Sequence, residues 1–183
     1  MANPITTYGN PVLRKKAERV AEVTDELRTL VDRMFGLMYS AEGIGLAAEQ
    51  IGRTEALFVL DIPPRADQDE QGLPLNPGVK MPMAVFNPEI IGMSEETETK
   101  DEGCLSFPGI YVAVTRPKEV VLRYLDRDGN EQTLNAKGLL ARAIQHENDH
   151  LNGVLLVDHM TAVDKILKAG KLKQFIKQNK GRK

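Results

Sequence analysis

Residues 138–151, GLLARAIQHENDHL, decide how this chain is read. Leu139, Leu140, Ala143, Ile144 and Leu151 recur at helical spacing and Gly153 follows as a stop, so the pattern predicts an α-helix over 138–151. Inside it lies His146-Glu147-Asn148-Asp149-His150. Residues four apart share a helix face, with about 6 Å of rise between their backbones. Two imidazoles so placed reach one cation. Glu147, about 100° further round, reaches a water on that cation without being a ligand. This is metalloenzyme spacing with Glu147 as general base. The plain alternative is a solvated polar face that matches by chance. Against it, two of the chain's three histidines fall in this motif, and the apolar residues around them turn both rings inward, where imidazoles need partners.

A catalytic metal site needs a third protein ligand and an open position. Downstream, His159 is the only histidine and Asp158 and Asp164 are the acids. None stands at a persuasive spacing, and His159 reads as an ordinary surface or boundary residue. Upstream, Glu102-Gly103-Cys104-Leu105-Ser106 places the single thiol at the end of a predicted strand, after a glycine that frees the backbone.

Working outward, Thr24-Asp25-Glu26 caps a helix that runs to about Ser40, and Leu27, Leu30, Val31, Met34 and Met38 form its buried stripe. Strands are predicted over 56–62, over 84–91 with a break near Asn87-Pro88, and over 96–105. A hairpin joins 119–125 to 131–135 around Asp126-Arg127-Asp128-Gly129-Asn130. Residues 63–82, polar and with five prolines, read as a surface loop. A Lys-rich amphipathic helix closes the chain over 162–178. Short strands with hairpin rather than crossover connections point to an α+β fold: small antiparallel or mixed sheets around the central His-Glu helix, flanked by an N-terminal and a C-terminal helix.

The 183 residues, 42% of them hydrophobic, suit a single domain. Its body is 1–160, with 161–183 as a basic helix and tail of the same domain. The formal net charge is −2, which gives the whole chain no pull toward DNA or membrane. From Thr161 onward, however, seven Lys and one Arg face a single Asp, giving +7 and leaving −9 for the rest. A basic tail on an acidic body expects an anionic partner. No apolar run long enough for a signal peptide or a membrane span occurs, and one cysteine allows no internal disulfide, so a cytoplasmic setting is expected.

Three segments, taken together, resemble a known family. Gly43-Ile44-Gly45-Leu46-Ala47-Ala48-Glu49-Gln50, Glu102-Gly103-Cys104-Leu105-Ser106 and Gln145-His146-Glu147-Asn148-Asp149-His150-Leu151 look like the three signature motifs of peptide deformylase, in that family's order and at compatible separations. The resemblance spans residues 5–160, including Gly9-Asn10-Pro11-Val12-Leu13-Arg14, and leaves only the tail uncovered.

The resemblance implies that Cys104, His146 and His150 ligate one divalent metal ion. The family favours Fe(II), with Zn, Ni or Co possible. It implies removal of the formyl group from N-terminal formyl-methionine of nascent peptides, giving formate. Glu147 would move the protons, and the Leu105 N–H and the Gln50 side-chain amide would stabilise the oxyanion. Glu102 would pair with Arg116 on the next strand in support of the Cys104 segment. Ile44, Leu139, Ala143 and the stem of His146 would line the methionine pocket, with backbone contacts from Gly45 and Gly103. Arg142 and Lys100 fall where some relatives carry apolar residues, at the pocket rim. The basic terminal helix would dock on the ribosome. Two rival readings predict different chemistry. A small zinc endopeptidase would make Cys104 dispensable, and a non-catalytic metal-stabilised module with an RNA-binding tail would need a fourth protein ligand.

Overall fold

A computed structural model of the chain describes residues 5–180. Its first helix, α1 (Asp25–Ser40), begins where a cap is available: Thr24 Oγ1 accepts from the Leu27 N–H at 3.3 Å, and Asp25 and Glu26 occupy the positive helix end. Its buried residues are the predicted stripe, methionines included. The strands β1 (Gly45–Ala47), β2 (Leu57–Leu60), β3 (Met83–Met93), β4 (Thr97–Gly103), β5 (Tyr111–Pro117), β6 (Glu119–Leu125) and β7 (Glu131–Lys137) follow. They form a five-stranded sheet in the order β1-β2-β3-β6-β7 and a separate β4-β5 ribbon, with every strand pair antiparallel. The helices α2 (Gly138–Leu151) and α3 (Ala162–Lys180) complete the fold, which is α+β as expected.

Strand β2 shows why the large sheet sits where it does. All four of its residues are buried because side chains alternate between two covered faces. Leu57 and Val59 pack with Met34 and Met38 of α1, while Phe58 and Leu60 pack with Leu140 and Ile144 of α2. The two helices therefore cover opposite faces of one sheet. On the ribbon, Val112 and Val114 meet Phe107 and the Leu172 and Phe175 side chains of α3. Helix α2 also reaches the ribbon, so it is central, as the sequence predicts. No helix among the described residues is long and apolar enough to cross a membrane.

Three elements differ from expectation. Strand β3 is not broken at Asn87-Pro88; it continues through a bulge, with the register slipping between Phe86 and Glu89. Asn87 takes φ 49°, and its side chain accepts from the Val20 N–H (2.9 Å) and donates to the Val20 carbonyl (2.8 Å), so the kink is tied down instead of ending the strand. The pattern of β5 is hidden because its third inward residue is Arg116. The 63–82 segment is not only surface: Asn76 is buried, and Val79 and Met81 pack against the cluster that holds α2.

Residues 6–8 and Asn179 meet beside the small ribbon. The Thr6 N–H donates to the Gln50 carbonyl (2.6 Å) and the Tyr8 N–H to the Ser106 carbonyl (3.0 Å). Asn179 Nδ2 on α3 lies 3.1 Å from the Thr7 carbonyl and 3.0 Å from that of Tyr8, clasping this strap from outside.

Candidate metal centre

One stripe of α2 faces a cavity of about 610 Å³. Leu139, Arg142, Ala143, His146 and Glu147 line it at steps of three and four residues. Opposite stand Gly43, Ile44 and Gly45 with the segment from Gly103 to Leu105. Side chains crowd both glycines: a Cβ on Gly45 would collide with Glu147 Oε1, and one on Gly43 would come 2.7 Å from Leu105 Cδ1, so either side chain would have to shift.

The donor atoms of Cys104, His146 and His150 all lie within 4.8 Å of one another, and Cys104 Sγ is 3.3 Å from His150 Nε2. Glu102 orients the first ring, its Oε2 sitting 2.9 Å from His146 Nδ1. A carboxylate accepts only, so Nδ1 carries the proton and Nε2 keeps the free lone pair. Glu102 also accepts from Arg116 Nε (2.6 Å) and Nη2 (2.9 Å) and from Arg142 Nη1 (2.7 Å). Burial alone would raise the Glu102 carboxyl. Bonds from His146 and Arg116 override that and hold it well below the usual carboxylate range. Arg116 Nη1 then donates to Asp149 (3.0 Å), whose carboxylate meets His159 Nε2 at 2.9 Å.

Gln50 is fixed by its own turn. The Ala47 N–H donates to Gln50 Oε1 (2.8 Å), so the amide nitrogen must face the other way. There Nε2 donates to Ser106 Oγ (3.1 Å) and points at Cys104 Sγ (3.6 Å). Burial pushes the Glu147 carboxyl up to about 7, against the opposing pull of His146. Burial also drives His150 down, helped by His146 and Arg116, which favours its neutral form. His146 goes the other way: burial lowers it, but bonds to Cys104 and Glu102 raise it further.

These residues fit a catalytic metal. A thiolate with two imidazoles is a donor set for borderline and soft divalent ions. Among the described residues no fourth His, Cys, Asp or Glu joins the group, which is the pattern of an open site and not of a closed structural one. Glu147 Oε2 is buried beside these three donors, with no hydrogen-bond partner among the described residues.

A family model of polypeptide deformylases matches residues 2–165. The chain belongs to this family. A peptide deformylase of Salinibacter ruber is 46% identical over 177 residues, covering 96% of this chain and 89% of the relative. One from Rhizobium meliloti is 39% identical, covering 98% and 95%. Among solved structures, a peptide deformylase from Ehrlichia chaffeensis aligns with a TM-score of 0.85 at 33% identity, over 98% of this chain and 99% of that one.

The fold brings the residues singled out from the deformylase resemblance into one place. Ile44, Gly45, Gln50, Gly103, Cys104, Leu105, Leu139, Ala143, His146 and Glu147 all border the cavity, and the Glu102–Arg116 pair stands behind His146. Lys100 does not line it, being paired instead with Glu98 at 3.0 Å. Arg142 is no free rim cation: it is buried, bonded to Glu102 and to the Val114 and Glu98 carbonyls at 2.9 and 2.7 Å. Its position four residues before His146, on the same stripe, was the available signal. Ser106, the partner of Gln50, lay inside the 102–106 motif but was given no role there. His159 stands at a boundary, half-buried against Asp149.

Proposed function

We propose that this chain is a metal-dependent hydrolase that removes the formyl group from N-terminal formyl-methionine of nascent peptides, releasing formate. The observation that carries the residue roles is the convergence of the Cys104, His146 and His150 donor atoms within 4.8 Å of one another, beside the unpartnered Glu147 Oε2. Those three residues would hold the metal. When bound, a divalent cation supplies Lewis acidity that makes water nucleophilic near neutral pH. Glu147 accepts the proton of the attacking water and delivers it to the leaving amine nitrogen, so the formyl C–N bond breaks with a neutral amine departing. The Leu105 N–H and the Gln50 amide donate to the developing oxyanion, and one such donor is typically worth about 3 kcal/mol. Ile44, Leu139 and Ala143 hold the methionine side chain, with Gly45 and Gly103 giving backbone contacts. Glu102, locked by Arg116, keeps the His146 ring aimed.

Iron is the favoured ion, with zinc, nickel or cobalt as substitutes. The setting is cytoplasmic, the catalytic domain is residues 1–160, and the basic segment from 161 belongs to it and docks on the ribosome. The endopeptidase alternative makes Cys104 dispensable, and its place among the donors speaks against that.

Formate release from a formyl-Met tripeptide is the test, with protein prepared anaerobically with iron, or with nickel or cobalt. Glu147→Ala should lower the rate by about 10²- to 10⁴-fold. No release by the wild type sinks the reading, and undiminished release by Glu147→Ala sinks the role of that carboxylate.

A further inference from the structure

The 63–82 loop meets the metal helix at its start. Helix α2 starts without a cap of its own: Lys137, the N-cap, makes no side-chain cap bond, and Gly138 turns the corner at φ 59°. The missing support comes from 61 residues upstream. Asn76 Oδ1 accepts from the Lys137 N–H (2.9 Å) and Asn76 Nδ2 donates to the Lys137 carbonyl (3.1 Å), so one side chain satisfies both backbone polar groups of that residue. Asp67 holds Asn76 in turn, accepting from its Nδ2 and from its backbone N–H (3.2 Å). Leu75 packs so closely on the corner that a Cβ at Gly138 would come 2.6 Å from its Cδ1. Val79 and Met81 then seat the loop on the core that includes Leu140, Ala143 and Ile144.

We infer that Asn76 is a positioning residue for the methionine pocket: through Lys137 it sets the first turn and a half of α2, where Leu139, Arg142 and Ala143 form the pocket wall. This deepens the deformylase reading and rests on it for the identity of the substrate. The metal ligands lie further along. Seven residues, about 10 Å of helix rise, separate Leu139 from His146, and His146 is held independently by Glu102. Loosening the start of α2 therefore moves the wall before it moves the ligands. Such a change weakens ground-state and transition-state binding alike, which raises KM and leaves kcat.

The experiment compares wild type with Asn76→Ala and with the milder Leu75→Ala, in case the first folds poorly. Leu73→Ser, at the exposed tip of the loop, is the control. Expected for both clamp variants are a KM for formyl-Met peptide raised on the order of tenfold, kcat within about twofold, and bound metal per chain unchanged. Hydrogen exchange without substrate or metal should show faster exchange at residues 139–143, with residues 146–150 unaffected. That readout stands even if the wild type releases no formate, so the clamp and the activity fail separately. Unchanged KM with unchanged exchange overturns the inference. A fall in kcat and metal content at constant KM also overturns it, because the loop would then support the ligands and not the wall.

Discussion

Glu49 is wholly buried in the turn that carries Gln50, and neither of its carboxylate oxygens has a partner among the described residues. Burial pushes its pKa up to about 8, with Glu147 and Glu55 adding repulsion. The folded chain therefore keeps a proton that the unfolded chain has released. This contribution to stability is fully present below about pH 4.5, the ordinary value, and is lost as pH rises to about 8. Across that window its slope approaches about 1.4 kcal/mol per pH unit. Glu49→Gln cannot titrate, so its urea-unfolding free energy measured from pH 5 to 8 should decline less steeply than that of the wild type. Parallel curves would show that Glu49 finds a partner when charged. The neighbouring Gln50 is the opposite case, with its oxygen and nitrogen both engaged, so two adjacent polar residues in one short turn carry very different costs of burial.

At the level of elements, Arg142 joins α2 to both strands of the ribbon through the carbonyls of Glu98 and Val114 and to Glu102 between them. Removing one member of a buried ionic cluster costs about 3–5 kcal/mol, whereas an exposed, solvent-screened pair such as Arg123–Glu89 contributes little. Arg142→Met should therefore lose several times more stability in guanidinium unfolding than Arg123→Met. Arg116 and His146 still hold Glu102 in the variant, so turnover of the folded fraction should fall less than stability does. Equal losses in the two variants would place Arg142 outside the structural framework. The elements that were legible in the sequence are those whose signal is local. Helix α1 announced itself by Thr24 and its apolar stripe, α2 by its periodicity, and β6 and β7 by the turn between them. Strand β5 was hidden because a charge occupies its third inward position, and that charge is tolerated only through Glu102 and Asp149, which are distant in sequence. Asn87-Pro88 looked like a break within its strand because its stitch to Val20 is equally non-local.

For the molecule as a whole, charge is divided between an acidic body and a basic last helix. Lys165, Lys173 and Lys177 are exposed on α3, and phosphate attraction grows with each cation and falls with salt. Cutting the chain after Met160 would be a poor test of ribosome docking, because α3 also buries Leu172 and Phe175 beside Phe107. Exchanging those three lysines for Glu leaves that packing alone. The triple variant should co-sediment with ribosomes less than the wild type at low salt, and equal pelleting would end the docking idea. The site itself was legible in an uneven way. The two histidines and Glu147 could be read from spacing, since a helix fixes their relation. Cys104 stood out as the single upstream thiol, but its assignment as a ligand and the role of Gln50 needed the family resemblance, because only tertiary folding brings a strand end and a turn to that helix. Asn76 could not be read at all, because its partner is a backbone peptide 61 residues away.

The strap that joins Gln50 to Ser106 carries a consequence for biosynthesis. Asn179, which clasps it, comes 172 residues after Thr7. At about 5–20 residues per second, translation needs on the order of ten to thirty seconds to make that clasp after it has made the strap. A nascent copy thus exposes its earliest segment, still unfastened, through most of its own synthesis.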